Sequence, residues 1–439
     1  MAGVTTNSEL FERAQRVIPG GVNSPVRAFR SVGGTPYFVA KALGPRVWDV
    51  EGTEYLDLVQ SYGAIIGGHA HPKIIEAIRA AAGDGTSYGA PTEREVLLAE
   101  EISRRVPSCQ KVRLVASGTE ATMTALRLAR GATGRTKVVK FAGNYHGHGD
   151  ALLAEAGSAV ALLDPDSSPG GVPGSAGVPP TAVSETIVVP YNQVPALDDT
   201  VACVIVEPVA ANMGLVAPAE GFLAGLRAEC DRVGALLIFD EVITGFRLAF
   251  GGAQELYSIT PDLSCFGKVI GGGLNVGAFG GRADLMDQLA PLGPVYQAGT
   301  LSGNPLATAA GLTALSLLDH HAYEQLTATA TRLASGLESA LQDAGLTGRV
   351  PRVASLVGLF FGAELPTDYV TARATDETVY AQFFHGLLSR GVALAPGAYE
   401  VMFPGLAHDD EVIDRIAAVA AEAASATATA TAADRDRLQ

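Results

Sequence analysis

The chain has 439 residues, of which 48% are hydrophobic and 18% charged, so it is long enough to bury a large domain and a smaller one. Its 51 glycines follow no three-residue period, which excludes a collagen-like fibre. The net charge of −15 argues against nucleic acid or an anionic membrane as a partner. An anionic substrate would need a local cluster of arginines, lysines or helix N-termini.

The first residues and the cysteines indicate a cytoplasmic protein. The segment MAGVTTNSELFERAQRV contains acidic residues and lacks an apolar core, so we expect neither a signal nor a transit peptide. No run of about 20 apolar residues predicts a membrane span. The four cysteines show no CxxC spacing and three lie in apolar segments, so we predict reduced, buried thiols.

Short elements are predicted before residue 63. Residues Ser8–Val17 have the pattern of a helix capped by Asn7 or Ser8. The stretch Pro36–Val59 predicts a small antiparallel sheet with two glycine-containing turns. We assign 1–62 to the N-terminal part of a small α+β domain.

From residue 63, helices and strands alternate, which predicts an α/β domain over 63–320, with a mostly parallel sheet sandwiched by helices. The predicted helices are Lys73–Ala82, Thr92–Arg105, Glu120–Arg130 and Glu220–Arg232. The predicted strands are Val112–Val115, Lys137–Phe141, Thr186–Val189, Cys203–Val206, Ala235–Phe239 and Leu263–Phe266. A Gly/Ser/Pro-rich stretch at about 155–181 is too long for an ordinary connection, and we expect a mobile lid there.

The last third is predicted to begin with a long Ala/Leu-rich helical region after Pro305. Further elements are expected as strands at 350–353, 356–361 and 392–394, and as helices at 377–389 and from Asp409 or Asp410. We assign 321–424 to the C-terminal part of the small domain, which thus combines both ends of the chain. Residues 425–439 are low in complexity, and we expect a flexible tail.

Lys268 lies between apolar residues and is followed closely by the glycines Gly271–Gly273. Loss of hydration in an apolar environment lowers the pKa of a lysine and makes its amine a nucleophile near neutral pH. Glycines permit the close backbone approach that a bulky ligand needs. Considered alone, this segment fits a lysine on a glycine-rich surface turn as well as it fits a nucleophilic lysine at a ligand site.

Asp240 ends the apolar strand of ALLIFDEVITGFR. The carboxyl end of a buried parallel strand is the usual ligand crevice of such sheets. An acid there, shortly before Lys268, matches what pyridoxal phosphate requires: a Schiff-base lysine and a carboxylate that keeps the pyridine nitrogen protonated. Without Lys268, Asp240 would suit the cap of the next turn.

The segment from Val115 to Glu120 predicts a strand, a turn and a helix N-terminus. Ser117, Gly118 and Thr119 would offer backbone N–H groups, two hydroxyls and the helix dipole to a phosphate, although serine and threonine also serve as plain caps. The sequence contains no Walker motif and no GxGxxG, which weakens a nucleotide-binding alternative.

Two further polar segments bear on the site. In GNYHGH, the ring of Tyr145 could stack on a flat cofactor. The pair His146 and His148 suggests a metal, as does the pair His69 and His71, but no Cys, Asp or Glu completes a ligand spacing, and we predict no metal site. The segment QAGTLSGNP predicts a polar turn before a helix, and without the other motifs a plain helix cap would be the better explanation.

These motifs together resemble those of class III, fold-type I aminotransferases, and within that family those of its aminomutases. The segments that carry the resemblance along nearly the whole chain are IPGGVNSPVRAF, GHAHP, GAPTE, SGTEAT, YHGH, VEPVAANMG, DEVITGFR, FGKVIGGGLNVGAFGG and QAGTLSGNPLA.

The resemblance implies pyridoxal 5′-phosphate as cofactor, with a pyridoxamine 5′-phosphate form in the cycle. It implies that Lys268 holds the cofactor and shuttles protons, that Asp240 pairs with its ring nitrogen, and that Glu400 restrains ordinary transamination. The other cofactor-binding residues it implies are Ser117, Gly118, Thr119, Tyr145, His146, Glu207, Asn212, Val242 and, from the second subunit of a homodimer, Thr300. The substrate-binding residues it implies are Ser24, Val26, Arg27, Tyr62, Ser158 and Glu400.

The reaction implied is an intramolecular amino transfer that converts glutamate 1-semialdehyde to 5-aminolevulinate, for tetrapyrrole synthesis, with glutamyl-tRNA reductase as an upstream partner. The alternative is an ω- or β-amino acid:keto acid aminotransferase on the same site, and a third is a catalytically silent protein with this fold. Three departures bear on the choice: Ala116 replaces an asparagine, Tyr62 replaces a tryptophan, and VMFPG follows Glu400.

Overall fold

The computed structural model describes residues 5–154 and 172–438, with backbone alone for 434–438. The chain divides into two compact units. Unit 1 comprises Met1–His71, Glu324–Leu365 and Thr371–Gln439, and unit 2 comprises Pro72–Tyr323 and Pro366–Val370. The expected boundaries, 62/63 and 320/321, lie within ten residues of the main divisions between these units.

The described elements are numbered in chain order. The helices are α1 Asn7–Val17, α2 Pro72–Asp84, α3 Glu93–Arg105, α4 Gly118–Thr133, α5 Pro180–Val183, α6 Phe222–Val233, α7 Gly252–Tyr257, α8 Ala283–Met286, α9 Pro305–Ser316, α10 His320–Asp343, α11 Tyr369–Ala372, α12 Glu377–Leu388 and α13 Asp410–Leu438. The strands are β1 Val39–Leu43, β2 Arg46–Asp49, β3 Glu54–Asp57, β4 Lys111–Val115, β5 Lys137–Phe141, β6 Thr186–Val189, β7 Val201–Val206, β8 Leu236–Asp240, β9 Leu263–Phe266, β10 Gly277–Gly281, β11 Arg352–Val353, β12 Leu356–Val357 and β13 Val392–Ala393.

Unit 2 is built on a seven-stranded sheet with the order β4-β10-β9-β8-β7-β5-β6. All strands run parallel except β10, which pairs antiparallel with β4 and β9. Strands β7 and β8 are buried along their whole length, as expected of parallel strands covered on both faces. The α/β class with a mostly parallel sheet is therefore confirmed.

Strand β10 was not predicted, because its sequence GAFGG lacks the β-branched residues that mark a strand. Its glycines fit because neighbouring backbones approach closely. A Cβ atom on Gly277 would lie 2.2 Å from the Ser117 carbonyl oxygen, and one on Gly281 would lie 2.3 Å from that of Asp262. Only glycine at these positions allows β10 to enter the sheet between β4 and β9.

The core of unit 2 lies between α4 and the sheet. Ala121, Ala125 and Leu128 of α4 are fully buried against Ile205 and Ile238 of the central strands. The small alanines let the helix lie close to the sheet, which fixes the height of its N-terminus above the strand ends. All four cysteines are buried and unpaired, as predicted.

Unit 1 contains a four-stranded sheet with the order β1-β2-β3-β13. The first three strands are antiparallel, as predicted, and β13 from the distant C-terminal part adds in parallel. Its core joins side chains of α10, α12 and α13 with Leu56 of β3 and Val392 of β13. Both ends of the chain thus contribute to one core.

Helix α1 is capped by Thr6 and not by Asn7 or Ser8. The Thr6 hydroxyl accepts the Glu9 N–H at 3.1 Å, and the Glu9 carboxylate accepts the Thr6 N–H at 2.9 Å, a reciprocal capping box. Asn7 is used elsewhere: its side chain donates to Asp49 at 2.9 Å and accepts the Phe38 N–H at 2.7 Å.

Helix α13 extends through the segment expected to be a flexible tail, as far as Leu438. Its stretch Asp410–Ala433 is long and apolar enough, by length and composition, to cross a membrane. However, its side chains Ile413, Ile416 and Ala420 are buried in the core of unit 1, and Thr427 is also buried. One face of α13 therefore packs in the core of unit 1, and 28% of its apolar stretch is buried.

Candidate active site

The predicted cofactor residues of unit 2 gather at one edge of its sheet. Five parallel strands end there, and these residues lie at or just after their ends: Ser117 after β4, Tyr145 and His146 after β5, Glu207 after β7, Asp240 at the end of β8 with Val242 after it, and Lys268 after β9. Carboxyl ends of parallel strands meet at one edge, where open α/β sheets bind their ligands.

Asp240, the last residue of β8, is buried and paired with His146. Oδ2 of Asp240 lies 2.7 Å from Nδ1 of His146, and Oδ1 accepts the Val242 N–H at 3.1 Å. Burial lowers the pKa of His146, and the adjacent carboxylate opposes that shift. A neutral imidazole with its proton on Nδ1 would donate to Asp240 and leave Nε2 as an acceptor.

Glu207, which follows β7, forms a second buried acid at this edge. Its carboxylate accepts the N–H groups of Tyr145 at 2.7 Å and Ala211 at 2.9 Å, and Asn212 donates a side-chain hydrogen bond to it. Asn144 accepts the Glu207 N–H at 2.9 Å. Burial raises the pKa of Glu207 to about 7, and the charge of Asp240 adds to the shift.

These bonds fix the loop that presents Tyr145. The Tyr145 ring itself is exposed, while partial burial of its hydroxyl and the charge of Asp240 raise its pKa. The same loop carries His146, the hydrogen-bond partner of Asp240.

Helix α4 starts at the segment predicted to bind a phosphate, with Ser117 as its N-cap. The Ser117 hydroxyl accepts the Glu120 N–H at 3.2 Å, and the Glu120 carboxylate accepts the Ala116 N–H at 2.9 Å. The backbone N–H groups of Gly118 and Thr119 start the helix, where an anion is stabilised by the dipole. A Cβ on Gly147 would lie 2.5 Å from the Thr119 hydroxyl, so the YHGH loop packs directly on this helix start.

Val242 joins three of the strand ends. A Cβ on Gly118 would lie 3.0 Å from its Cγ1 atom, and one on Gly267 would lie 3.2 Å from the same atom. Gly267 directly precedes Lys268. The helix start after β4, the turn after β8 and the glycine that precedes Lys268 therefore pack together around Val242.

Lys268 is half-buried and has a left-handed backbone, with a φ of 48°. For a non-glycine residue this conformation costs about 1–2 kcal/mol. The turn that it begins packs tightly on α9, because a Cβ on Gly272 would lie 2.6 Å from the Ala310 carbonyl oxygen and one on Gly311 would lie 2.0 Å from that of Ile270. Such strain at a candidate catalytic lysine supports a functional reason for its placement.

Two other predicted residues have different positions. Thr300 is exposed in the turn before α9. Ser158 and most of the expected lid lie outside the described residues. The described end of that stretch returns to the fold, where Gly174 donates its N–H to the Leu153 carbonyl at 2.6 Å.

Unit 1 contains Val26, Arg27, Tyr62 and Glu400, four of the residues predicted for the substrate. Arg27 lies exposed in a short turn after Ser24. A Cβ on Gly397 would lie 3.8 Å from Val26 Cγ2 and 3.7 Å from Glu400 Cγ, so these two side chains flank one point of the backbone. Burial raises the pKa of the half-buried Tyr62, the charge of Glu400 raises it further and that of Arg27 opposes the shift.

In the part of the chain that the structure describes, no group of three or more His, Cys, Asp or Glu side chains could hold a metal ion. His146 pairs with Asp240, and His69 pairs with Asp57.

Comparison with known proteins identifies the family. Residues 29–422 match the sequence model described as "Aminotransferase class-III". A curated relative from Bordetella avium (strain 197N), named glutamate-1-semialdehyde 2,1-aminomutase, is 54% identical over 418 residues, covering 93% of this chain and 96% of the relative. The chain belongs to the class III aminotransferase family, as its motifs implied.

Two solved structures have similar folds. An omega-transaminase from Sphaerobacter thermophilus superposes with a TM-score of 0.88 at 32% identity, covering 97% of this chain and 98% of the other. A variant of a glutamate-1-semialdehyde-aminomutase from Pseudomonas aeruginosa PAO1, in complex with PMP, has a TM-score of 0.85 at 27% identity, covering 95% and 93% of the two chains.

The cofactor that belongs with this family is pyridoxal 5′-phosphate, and the residues of unit 2 fit it. The helix start at Ser117–Thr119 suits a phosphate. The carboxylate of Asp240 suits a protonated ring nitrogen. Among the described residues, the buried Nε2 of His146 has no hydrogen-bond partner, and a buried polar atom of this kind points to a group that the polypeptide does not supply.

Sequence reasoning missed four residues that build this edge: Glu120, Asn144, Gly147 and Gly277. Glu120 could have been found, because Ser117-x-x-Glu120 has the spacing of a capping box. Gly147 and Asn144 lie in GNYHGH, the motif that supplied Tyr145. Nothing in the sequence around Gly277 indicated its contact with the Ser117 carbonyl.

Proposed function

We propose that this chain catalyses the intramolecular amino transfer that converts (S)-4-amino-5-oxopentanoate, glutamate 1-semialdehyde, to 5-aminolevulinate, a step of tetrapyrrole synthesis. The substrate carries an aldehyde at C1 and an amine at C2, and the product carries an amine and a ketone at these positions. The two groups are exchanged within one molecule, so no external donor or acceptor is consumed. The 54% identity to the Bordetella avium aminomutase over 93% of this chain is the observation that carries the proposal.

The residues of unit 2 would hold the cofactor at the strand ends. Ser117, Gly118 and Thr119 would bind the phosphate through the start of α4, and Asp240 would pair with the ring nitrogen. The remaining residues proposed to line the cofactor are Tyr145, His146, Glu207, Asn212, Val242 and Thr300. When bound, the cofactor supplies the electron sink that makes a proton on the adjacent carbon removable.

Lys268 would move that proton. Its amine can accept a proton from one carbon and return it to another, provided that it is neutral for part of the cycle. The residues next to it in the chain, Phe266, Val269 and Ile270, are fully buried, and Lys268 itself is half-buried. The left-handed backbone and the packed glycine turn fix the point from which the Lys268 side chain extends.

The residues of unit 1 would act on the substrate. Arg27 would attract its carboxylate as a point of positive charge. Tyr62 and Glu400, which interact electrostatically, would select the intramolecular reaction over ordinary transamination. Ser24, Val26 and Ser158 complete the proposed substrate residues.

We further propose a cytoplasmic homodimer that receives its substrate from glutamyl-tRNA reductase. In this assembly Thr300, which is exposed in one chain, would complete the site of the second subunit. Size-exclusion chromatography with light scattering tests the dimer, and a pull-down with purified reductase tests the second partner.

A second candidate is an ω- or β-amino acid:keto acid aminotransferase. It is favoured by the TM-score of 0.88 to the Sphaerobacter thermophilus omega-transaminase and by the departures at Ala116 and after Glu400.

One experiment separates the two reactions. Purified holoenzyme is mixed with glutamate 1-semialdehyde without amino donor or keto acid, and 5-aminolevulinate is assayed. Sustained multiple turnovers support the aminomutase. A single burst that resumes on addition of pyruvate means a transaminase, and no product from a holoenzyme with an intact cofactor spectrum means another substrate.

A further inference from the structure

Four consecutive residues of unit 1 have a left-handed backbone. The φ angle is 44° at Gln60, 53° at Ser61, 53° at Tyr62 and 91° at Gly63. Only glycine adopts this conformation without strain. A run of this kind persists where the surrounding structure over-determines it, so specific contacts of unit 1 must hold this turn.

Asp57, the last residue of β3, holds the beginning of the turn. Its buried carboxylate accepts the Val59 N–H at 2.8 Å through Oδ1 and the Gln60 N–H at 3.1 Å through Oδ2. The Gln60 side chain also donates to the Asp57 carbonyl at 3.0 Å. Nε2 of His69 lies 2.7 Å from the same Oδ2, which fixes the orientation of the carboxylate.

Packing and backbone bonds hold the other end. A Cβ on Gly63 would lie 2.7 Å from Phe403 Cε1, and Phe403 donates its N–H to the Leu58 carbonyl at 2.8 Å. Ile65 donates its N–H to the Gln60 carbonyl at 3.1 Å. Tyr62 lies between these two fixed ends.

The turn delivers Tyr62 to charged residues that are distant in sequence. The charges of Glu400 and Arg27 both act on the Tyr62 hydroxyl, in opposite directions, and Asp57 acts on it more weakly. A small rotation of the turn would change the position of the hydroxyl relative to both. Asp57 lies in none of the motifs that carry the family resemblance.

We propose that Asp57 is a positioning residue, which holds the left-handed turn Gln60–Gly63 and thereby fixes the Tyr62 hydroxyl relative to Glu400. The role of Tyr62 in substrate binding rests on the proposed function. The position of the Tyr62 side chain is independent of that function, and separate experiments test the role and the position.

The kinetic test is a double-mutant cycle in the full-length holoenzyme, with Asp57→Asn, Tyr62→Phe and the double variant. Asp57→Asn should raise KM for glutamate 1-semialdehyde by about tenfold when Tyr62 is present. In the Tyr62→Phe background the same change should raise KM by about threefold or less, because residues that act through one another are not additive. Equal effects in both backgrounds would overturn the proposal.

Asp49→Asn is the matched control. Asp49 is also a buried acid at a strand end of unit 1, and it accepts the N–H groups of Glu51 at 3.0 Å and Thr53 at 2.8 Å and the Tyr55 hydroxyl at 3.1 Å. Its bonds support α1 and the β2–β3 turn instead of the Gln60–Gly63 turn. Asp49→Asn should lower Tm about as much as Asp57→Asn does, and its effect on KM should be additive with that of Tyr62→Phe. If Asp49→Asn and Asp57→Asn were equally coupled to Tyr62→Phe, the proposal would be overturned.

Ser61→Val disturbs the Gln60–Gly63 turn without removing any hydrogen-bonding group of Asp57. Ser61 is exposed, and a β-branched residue strongly disfavours its left-handed φ. In the cycle with Tyr62→Phe, this variant should show the same non-additive effect on KM as is expected for Asp57→Asn. It therefore tests the turn even if Asp57→Asn does not fold. Additive behaviour of Ser61→Val would overturn the role of the turn.

A reaction-independent readout uses 3-fluorotyrosine incorporated at position 62 of the holoenzyme. Asp57→Asn and Ser61→Val should both shift its ¹⁹F resonance, and Asp49→Asn should not. A shift in a protein without mutase activity would refute the proposed function and support the positioning role. An unmoved resonance in an active enzyme would refute the positioning role and leave the proposed function intact.

Discussion

Nδ1 of His146 lies 2.7 Å from Oδ2 of Asp240, and both side chains are buried. The pair joins the ends of two strands, because His146 follows β5 and Asp240 ends β8. The bond satisfies one carboxylate oxygen and leaves Nε2 of the imidazole buried without a partner among the described residues. The orientation of the acid proposed to hold the cofactor ring thus depends on a histidine from another strand.

His146→Phe should weaken cofactor binding by about 5- to 150-fold, because loss of a partner for a buried acid costs about 1–3 kcal/mol. Titration of the apoenzyme with pyridoxal 5′-phosphate, followed by absorbance, measures the dissociation constant. His148→Phe is the control, since His148 belongs to the same motif and is exposed. Equal dissociation constants for the two variants would contradict the role of the pair.

Substitution of Lys268 should separate chemistry from backbone strain. Lys268→Ala and Lys268→Gly both remove the amine and should leave a folded, cofactor-binding protein with almost no turnover. Because φ at this position is 48°, the glycine variant should be more stable than the alanine variant by about 1 kcal/mol. Denaturant unfolding and turnover measure the two effects, and near-wild-type turnover in either variant would remove Lys268 from the mechanism.

Gly277→Ala should damage the cofactor site from the unpredicted strand β10. The new Cβ would lie 2.2 Å from the Ser117 carbonyl oxygen, so the turn after β4 must shift, at a cost of about 1–3 kcal/mol. We expect lower Tm and weaker cofactor binding together. Gly83→Ala in the last turn of α2 is the control with the opposite sign, because a Cβ there meets open space and replacing glycine by alanine at a compatible position stabilises a protein by about 0.4–1 kcal/mol.

The sequence was sufficient for the parallel strands and for the residues at their ends. Strands β5, β6 and β9 begin and end where the sequence predicted, because β-branched and apolar residues predominate in short segments there. Asp240 and Lys268 could be recognised since each lies within two residues of the end of such a segment.

Features that depend on contacts between distant segments could not be predicted. Strand β10 exists because glycines permit close approach to β4 and β9, a tertiary reason without a local pattern. No sequence pattern predicts the left-handed turn at Gln60–Gly63, since three of its four residues are not glycine. Thr6 caps α1 in place of Asn7 because Asn7 is engaged by Asp49 and Phe38.

Arg27→Ala should raise KM for glutamate 1-semialdehyde, with kcat largely retained. Arg27 is exposed and its proposed role is to attract the substrate carboxylate, so its loss removes binding shared by the ground state and the transition state. A change of about tenfold, equivalent to 1.4 kcal/mol, is expected. Arg30→Ala, at an exposed position in the same N-terminal loop, is the control, and an unchanged KM in Arg27→Ala would remove the residue from the substrate site.

His408 should make the protein less stable as the pH falls from about 6.5 to about 4. Its ring is buried, with Nδ1 accepting the Gly405 N–H at 3.1 Å and Nε2 donating to the Asp57 carbonyl at 3.2 Å. This arrangement requires the neutral imidazole, and burial lowers its pKa from 6.5 to about 4.

The sign follows from proton binding. Between these pH values the unfolded chain binds a proton at His408 and the folded chain does not, so the free energy of unfolding decreases as the pH falls, by up to about 3 kcal/mol. His408→Gln should be less stable than wild type at pH 7, and the difference should shrink steadily towards pH 4. Urea unfolding of both proteins at intervals of half a pH unit measures this difference in the free energy of unfolding. Groups present in both proteins titrate alike, so their contributions cancel when the two free energies are subtracted. A constant difference across the range would mean that the folded protein protonates His408 as readily as the unfolded chain does.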